Sequence, residues 1–224
     1  MSPWITPILS RLDRVRALRR QREADPGSGA SVRSVKEFQH ARFMRDYAAL
    51  LVDPRYGKAA KFFLEEIYGP ADFAGRDAEF ERVVPLMARV LPDDVMGTIA
   101  ELIELHALTE ELDQQMAAAL GPSNVDDRSY RAAWLQVDRR PDRDRQLELL
   151  LRAGRALDRY TGNKMLSATL RVMRAPARAA GLGRLQSFLE TGLSTFAAMG
   201  GAGDFLRLIQ ENEKRAIDDF FAPK

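Results

Sequence analysis

From residue 4 to residue 221 the apolar residues recur three and four positions apart, and nowhere do they alternate with the period of two that a half-buried strand requires. Ala, Leu, Arg and Glu dominate the segments, and all four are strong helix formers. Glycine and proline cut the pattern into short pieces. The spacing predicts helices over about 4–22, 31–52, 56–68, 72–91 and 93–120. It predicts others from 126 or 127, over 141–161, to about 174, over 185–199 and over 204–221. The fold class is therefore all-α: a compact multi-helix bundle of about eight or nine helices, joined by short loops so that successive helices pack together. Pro85 is expected to kink its helix. Gly154 and Gly192 lie inside helices, where glycine costs about 1 kcal/mol relative to alanine, and close helix crossings would account for both.

With 224 residues the chain has room for one domain and an appended segment. Pro26-Gly27-Ser28-Gly29 is the best linker candidate. It divides a basic amphipathic N-terminal helix with a Gly/Ser linker, 1–29, from a helical-bundle domain, 30–224. The net charge of +2 conceals an asymmetry along the chain. Residues 1–45 hold ten Lys and Arg against four Asp and Glu, giving +6, so the remainder sums to −4. Cysteine is absent, which excludes disulfides and thiolate metal sites and fits a reducing compartment. No apolar run approaches the roughly 18 residues of a membrane span, and the arginines follow the short apolar stretch Trp4–Leu9 instead of preceding it as in a signal peptide. A cytoplasmic location is the expectation.

The chemistry is concentrated between Lys61 and Asp113, where ionisable residues fall on helix faces that should be buried. On wheels of 100° per residue, Glu66 falls among Ala59, Phe62 and Phe63; Arg76 and Asp77 fall among Phe73, Phe80 and Val84. His106, Glu110 and Asp113 follow at spacings of four and three, so they stack along one face of the longest helix. In the second helix Phe38, Ala41, Phe43, Met44, Tyr47, Ala48 and Leu51 read as the core face, with Glu37 and His40 on it. Burying an unpaired charge costs several kcal/mol, so such groups are paired, protonated or liganded. If Glu37, Glu66, Arg76, Asp77, Glu110 and Asp113 all meet, five acids and one arginine leave −4 to be met by solvent, shared protons, protonated histidine or a bound cation.

Two readings follow. The first is a buried polar cluster of Glu66, Arg76, Asp77, His106, Glu110 and Asp113, with Arg76 pairing an acid and His106 pairing Glu110. The second is a divalent metal site with ligands from Glu37, His40, Glu66, His106 and Glu110, with Asp113 as a further acid. Glu37-Phe38-Gln39-His40 is a Glu-x-x-His, and di-iron and di-manganese bundles use two of these, but the chain has only one. Haem on His40 or His106 is not favoured over a hydrogen-bonded core histidine.

Arg11, Arg14, Arg16, Arg19 and Arg20 make the first helix a candidate surface for a protein partner, an anionic membrane or nucleic acid. Nucleic acid and membrane are not favoured; against nucleic acid, no aromatics interleave these arginines and the rest of the chain is acidic. Arg174 and Arg178 beside the turn Gly181-Leu182-Gly183 are a second anion candidate, since a glycine-rich turn before a helix exposes backbone N–H groups. It lacks the Gly-Lys-Ser/Thr ending of a phosphate loop. No residue pattern indicates a catalytic role: nucleophile elbow, His-Glu-x-x-His, dinucleotide and kinase signatures are missing.

Phe62-Phe63-Leu64, Tyr68-Gly69, Asp72-Phe73, Arg76-Asp77, Leu105-His106, Glu110 and Asp113, with the later block Leu185–Gly192, Phe205-Leu206 and Ile209, together resemble an uncharacterised bacterial all-helical protein family of unknown function. The resemblance covers about residues 35–221 and implies the fold without implying an activity. The expected protein is a helical binding or interaction protein, possible as a homodimer, that takes a protein partner or small ligand. A metal-dependent oxidative enzyme and a membrane- or nucleic-acid-binding arm are the alternatives.

Overall fold

The structure is a computed structural model, and it describes residues 2–66, 73–121 and 125–222. Among the described residues there are eleven helices and no strand: α1 (Ile5–Ala24), α2 (Pro26–Asp46), α3 (Ala48–Val52), α4 (Gly57–Glu66), α5 (Ala74–Val90), α6 (Asp93–Leu120), α7 (Asp127–Val137), α8 (Arg140–Thr161), α9 (Lys164–Ala179), α10 (Gly183–Ala198) and α11 (Gly203–Phe221). The number is eleven rather than about eight or nine: each of the ten segments read from the spacing holds a helix, and the second is divided in two. Tyr47 leaves the helical line at ψ 18° and splits the expected second helix into α2 and α3. The expected stop at Gly69–Pro70 and the cap at Asp72 lie outside the described residues. α5 continues through Pro85, and α9 runs through Pro176 to Ala179 instead of ending near Arg174.

The segment Pro26–Gly29 is not a linker. Asp25 is an extended N-cap whose carboxylate accepts from the N–H groups of Gly27 and Ser28, and Pro26 occupies the first turn, where its missing N–H costs nothing. α1 and α2 are thus separated by one residue. α1 packs along α6, seated by Ile8, Leu12 and Val15, all buried. The basic helix is a wall of the bundle and does not stand off from it.

α6, with 28 residues, is about 42 Å long and acts as the spine. It packs against α1, α2, α5, α7 and α8; α10 lies across α4, α5, α8 and α9, and α11 covers α7 and α8. The expected close crossings are present. A Cβ on Gly154 of α8 would sit 2.5 Å from Leu206 Cδ2 of α11, and one on Gly192 of α10 would sit 2.9 Å from Phe62 Cζ of α4. A large core gathers Phe43, Phe63, Leu105, Met116, Trp134, Leu149, Phe196 and Phe205. A smaller one joins Ile8, Leu12, Phe80, Val84, Met96, Ala100 and Leu185. No helix among the described residues is long and apolar enough to cross a membrane.

The core face of α2 differs from the expected one. Val32, Val35, Gln39 and Phe43 are buried, whereas Glu37 and Ala41 are exposed, Met44 is 46% exposed, and His40 is half-buried. The row at positions 32, 35, 39 and 43 brings Gln39 inward, and an amide with hydrogen-bond partners is far less costly to bury than the Glu37 carboxylate.

Candidate functional site

The inward face of α6 carries two polar groups in sequence. At the first, α5 presents Asp77 from its first turn, and Asp77 Oδ2 lies 2.8 Å from His106 Nε2 of α6. Arg19 of α1 donates to the same Asp77 oxygen at 2.7 Å. Burial opposes ionisation of Asp77, but His106 and Arg19 outweigh it and hold the carboxyl below its ordinary value. Beside it, Arg76 Nη1 donates to the Glu66 carbonyl at 3.0 Å and reaches its carboxylate at 3.3 Å. The Arg76 guanidinium stands 4.2 Å from the ring centre of Phe73 and 4.4 Å from that of Phe188 of α10, so two aromatic faces pin it. Burial lowers its pKa despite the pull of Asp77 and Glu66.

These groups end a cleft of about 100 Å³ between α5, α6 and α10. Apart from Glu66, Arg76, Asp77, His106 and Thr109 its lining is apolar, with Phe80, Ile103 and Leu185 among the walls. The cleft lies at the seam of the two cores: Phe80 and Leu185 belong to the smaller and Leu105 to the larger.

The second group, one to two turns further along α6, is closed. Glu110 is 3% exposed and accepts from Arg22 Nη1 of α1 at 2.5 Å and from the Lys36 ammonium of α2; Arg22 also donates to the Glu110 carbonyl at 3.1 Å. Burial pushes the Glu110 carboxyl up, but Lys36 and Arg22 prevail and bring it down to about 2. Asp113 is 1% exposed, accepts from the Gln39 amide at 2.9 Å and has Lys36 at 4.0 Å. Here burial wins, with the Glu110 charge adding to it, and the Asp113 pKa is raised. Gln39 also donates to Tyr130 at 3.2 Å, and Gln114 takes a bond from Arg22 at 2.7 Å while giving one to Ser28 at 3.0 Å.

The structure therefore distributes the six expected cluster residues. Glu66 and Arg76 pair, Asp77 and His106 pair, and Glu110 and Asp113 form a separate neighbourhood; His106 bonds Asp77 and not Glu110. Glu66 ends α4 with its side chain 41% exposed. The proposed metal set Glu37, His40, Glu66, His106 and Glu110 does not converge. Glu37 faces solvent, and among the described residues no three His, Asp or Glu side chains are grouped as metal ligands would be. The surplus negative charge is met by Arg19, Arg22 and Lys36 instead.

Most of the arm arginines are spoken for in the same way. Arg11 pairs with Glu104 at 2.6 Å, Arg14 with Glu111 at 2.5 Å, and Arg16 with Glu81. Arg20 is exposed and makes no ion pair with a described residue. Arg174 pairs with Glu190 at 2.9 Å, and Arg178 is exposed. At the glycine turn the N–H of Leu185 donates to Glu79 at 2.9 Å, so a carboxylate of α5 already sits where an anion would dock on α10. Sequence reasoning passed over Lys36 and Gln39 and did not see Arg19 and Arg22 as counterions. The signal was the match between a +6 N-terminal part and a −4 remainder.

The profile of a domain of unknown function (DUF8198) matches residues 18–224. The chain belongs to that family. The DUF8198 match begins within α1, so it includes Arg19 and Arg22, the two arginines that reach Asp77 and Glu110, and leaves out Arg11, Arg14 and Arg16. Comparison with curated proteins and with solved structures gives no match. DUF8198 is an uncharacterised family, so membership assigns no activity.

Proposed function

We propose that the protein binds a small, largely apolar molecule with one hydrogen-bonding head group in the cleft between α5, α6 and α10. The observation that carries this reading is the termination of an apolar lining by Arg76 and the Asp77–His106 pair. Ligand pockets commonly combine apolar walls with a few convergent polar groups. The volume of about 100 Å³ is smaller than the ~150 Å³ hollow that admits benzene, so a branched chain of about four carbons matches it. An acceptor head group, a carboxylate above all, would lie toward Arg76, whose cation is desolvated and held between two rings.

Titration with 3-methylbutanoate and with its uncharged amide, followed by protein-observed NMR, tests this. The expected result is saturable shifts at α5, α6 and α10, with the carboxylate binding more tightly. Leu102→Trp, which fills the cleft from a half-buried position, should abolish them while the fold stands. Shifts that do not saturate, or that persist unchanged in that variant, defeat the reading.

A further inference from the structure

One face of α9 is left uncovered. The helix packs against α10 and more lightly against α8. Ala177 is buried, Leu170 is half-buried, and Gln186 of α10 donates to the Leu170 carbonyl at 2.6 Å. The opposite side, about 160° of the wheel, carries no charge. Besides Thr169 it presents Ala168, Val172, Met173, Ala175, Pro176 and Ala179, all exposed, Val172 by 74% and Met173 by 46%. The apolar arc of α9 is therefore wider than the part that α10 covers. Charged and polar side chains normally occupy the solvent face of a helix, so an uncharged one marks a surface that something else covers.

Charge points to what covers it. From Lys164 to Leu189 the chain holds five Lys and Arg and no Asp or Glu. Arg171 and Arg178 are exposed and make no ion pair with a described residue, while Arg174 pairs with Glu190 at 2.9 Å. Among the described residues, the acids grouped with these cations are Glu190, on which Arg178 also acts, and Glu65 and Glu79, which share a groove with Arg178 and Arg184. Glu66 in that groove is paired with Arg76. Three acids against five cations leave two positive charges over. On the wheel Arg171 and Arg178 lie roughly 100–120° from Val172, at the flank of the uncharged arc. A guanidinium at that height reaches the phosphates of a headgroup layer when Val172 enters it. α9 has no aromatic side chain, so the arc offers neither a stacking platform for nucleic-acid bases nor the large anchors of a protein interface; a lipid surface needs neither.

We propose that α9 is a docking face for an anionic lipid surface, lying in the plane of the headgroups with Val172 and Met173 inserted and Arg171 and Arg178 on the phosphates. Flotation of the protein with vesicles of phosphatidylcholine, and of phosphatidylcholine with about one-third phosphatidylglycerol, tests this. The expected result is saturable binding to the anionic vesicles alone, weakening as salt rises. Val172→Asp puts a charge on the arc and should lower that binding about tenfold or more. Arg171→Glu combined with Arg178→Glu should lower it by about as much. Arg20→Glu, on the exposed side of α1, should leave it unchanged. All four positions are exposed, so the fold should stand in each variant, which circular dichroism checks. An absence of binding to the anionic vesicles overturns the proposal. So does binding that Val172→Asp leaves unchanged, which would be charge attraction alone, such as nucleic acid also satisfies. A loss in Arg20→Glu that matches the α9 variants would move the attraction to α1 and overturn it too. A dimer in light scattering that Val172→Asp splits, without vesicle binding, would place a second copy of the chain on α9 instead.

Discussion

Asp77 and Glu110 are both acids on the buried side of the bundle, and each is met by an arginine of α1, yet their surroundings differ. Asp77 is contacted by Arg19 and by a histidine and faces a cleft with room in it. Glu110 is enclosed by Arg22, Lys36 and its own helix, and its neighbour Asp113 is sealed behind Gln39. Both Glu110 carboxylate oxygens are engaged, so the closed network ties α1 and α2 to α6. The open pair has an apolar chamber against it and polar atoms at the chamber wall. Comparable residues therefore serve structure at one end of the α6 face and, in the function proposed above, recognition at the other, and the adjoining volume makes the difference.

The largest effect that would break this contrast is at Glu110. Glu110→Gln leaves Arg22 and Lys36 without their acid and should cost about 3–5 kcal/mol in urea unfolding, because two buried cations lose their partner. A loss under about 1 kcal/mol would show that the closed end is solvated. Acid titration sharpens the same point. The folded pKa of Glu110 is brought down to about 2 from the ordinary 4.5, so its contribution is present above 4.5 and disappears as pH falls toward 2. About 3 kcal/mol should be lost across that window, and the loss should be smaller by that amount in Glu110→Gln.

Asp113 should respond with the opposite sign. Its folded pKa is raised, so its contribution is greatest below the ordinary 3.8 and declines as pH rises. Asp113→Asn keeps an acceptor for Gln39 and removes the buried charge, so at pH 7 it should change stability by less than about 1.5 kcal/mol. A loss above about 3 kcal/mol would mean that Lys36 depends on Asp113 as well as on Glu110. At the open end, Arg76→Lys gives up the planar stacking on Phe73 and Phe188 and should cost about 1 kcal/mol, read as a melting-temperature fall of about 2–4 °C. The smallest effect is at the rim. Arg14→Ala removes a pair whose arginine side chain is 65% exposed, and should move stability by no more than about 0.5 kcal/mol.

The helical fold was legible because periodicity and glycine–proline punctuation are local signals. α6 runs over the expected residues 93–120, and Asp126 caps α7 with a reciprocal Ser129 bond. The face of α2 was less legible. Phe38, Ala41 and Met44 make as good an apolar arc as Val32, Val35 and Phe43, and only the partner helix decides which one turns inward. At the site, spacing places His106, Glu110 and Asp113 on the inward face of α6 but does not show which cations meet them. The counterions come from α1 and α2, where Pro26–Gly29 reads as a linker but forms a first turn behind the Asp25 cap. Ion pairing across 58 to 93 residues leaves no local pattern, only the balance of charge between two stretches of chain.

That separation has a consequence for synthesis. α1 leaves the ribosome ahead of Glu81, Glu104 and Glu110, which neutralise Arg16, Arg11 and Arg22 and follow 65 to 93 residues later. At about 5–20 residues per second, a basic amphipathic helix travels without these acids for roughly 3–19 s in each round of translation. During that interval these arginines lack the acids that meet them in the folded protein, so α1 travels with a charge that the finished bundle offsets.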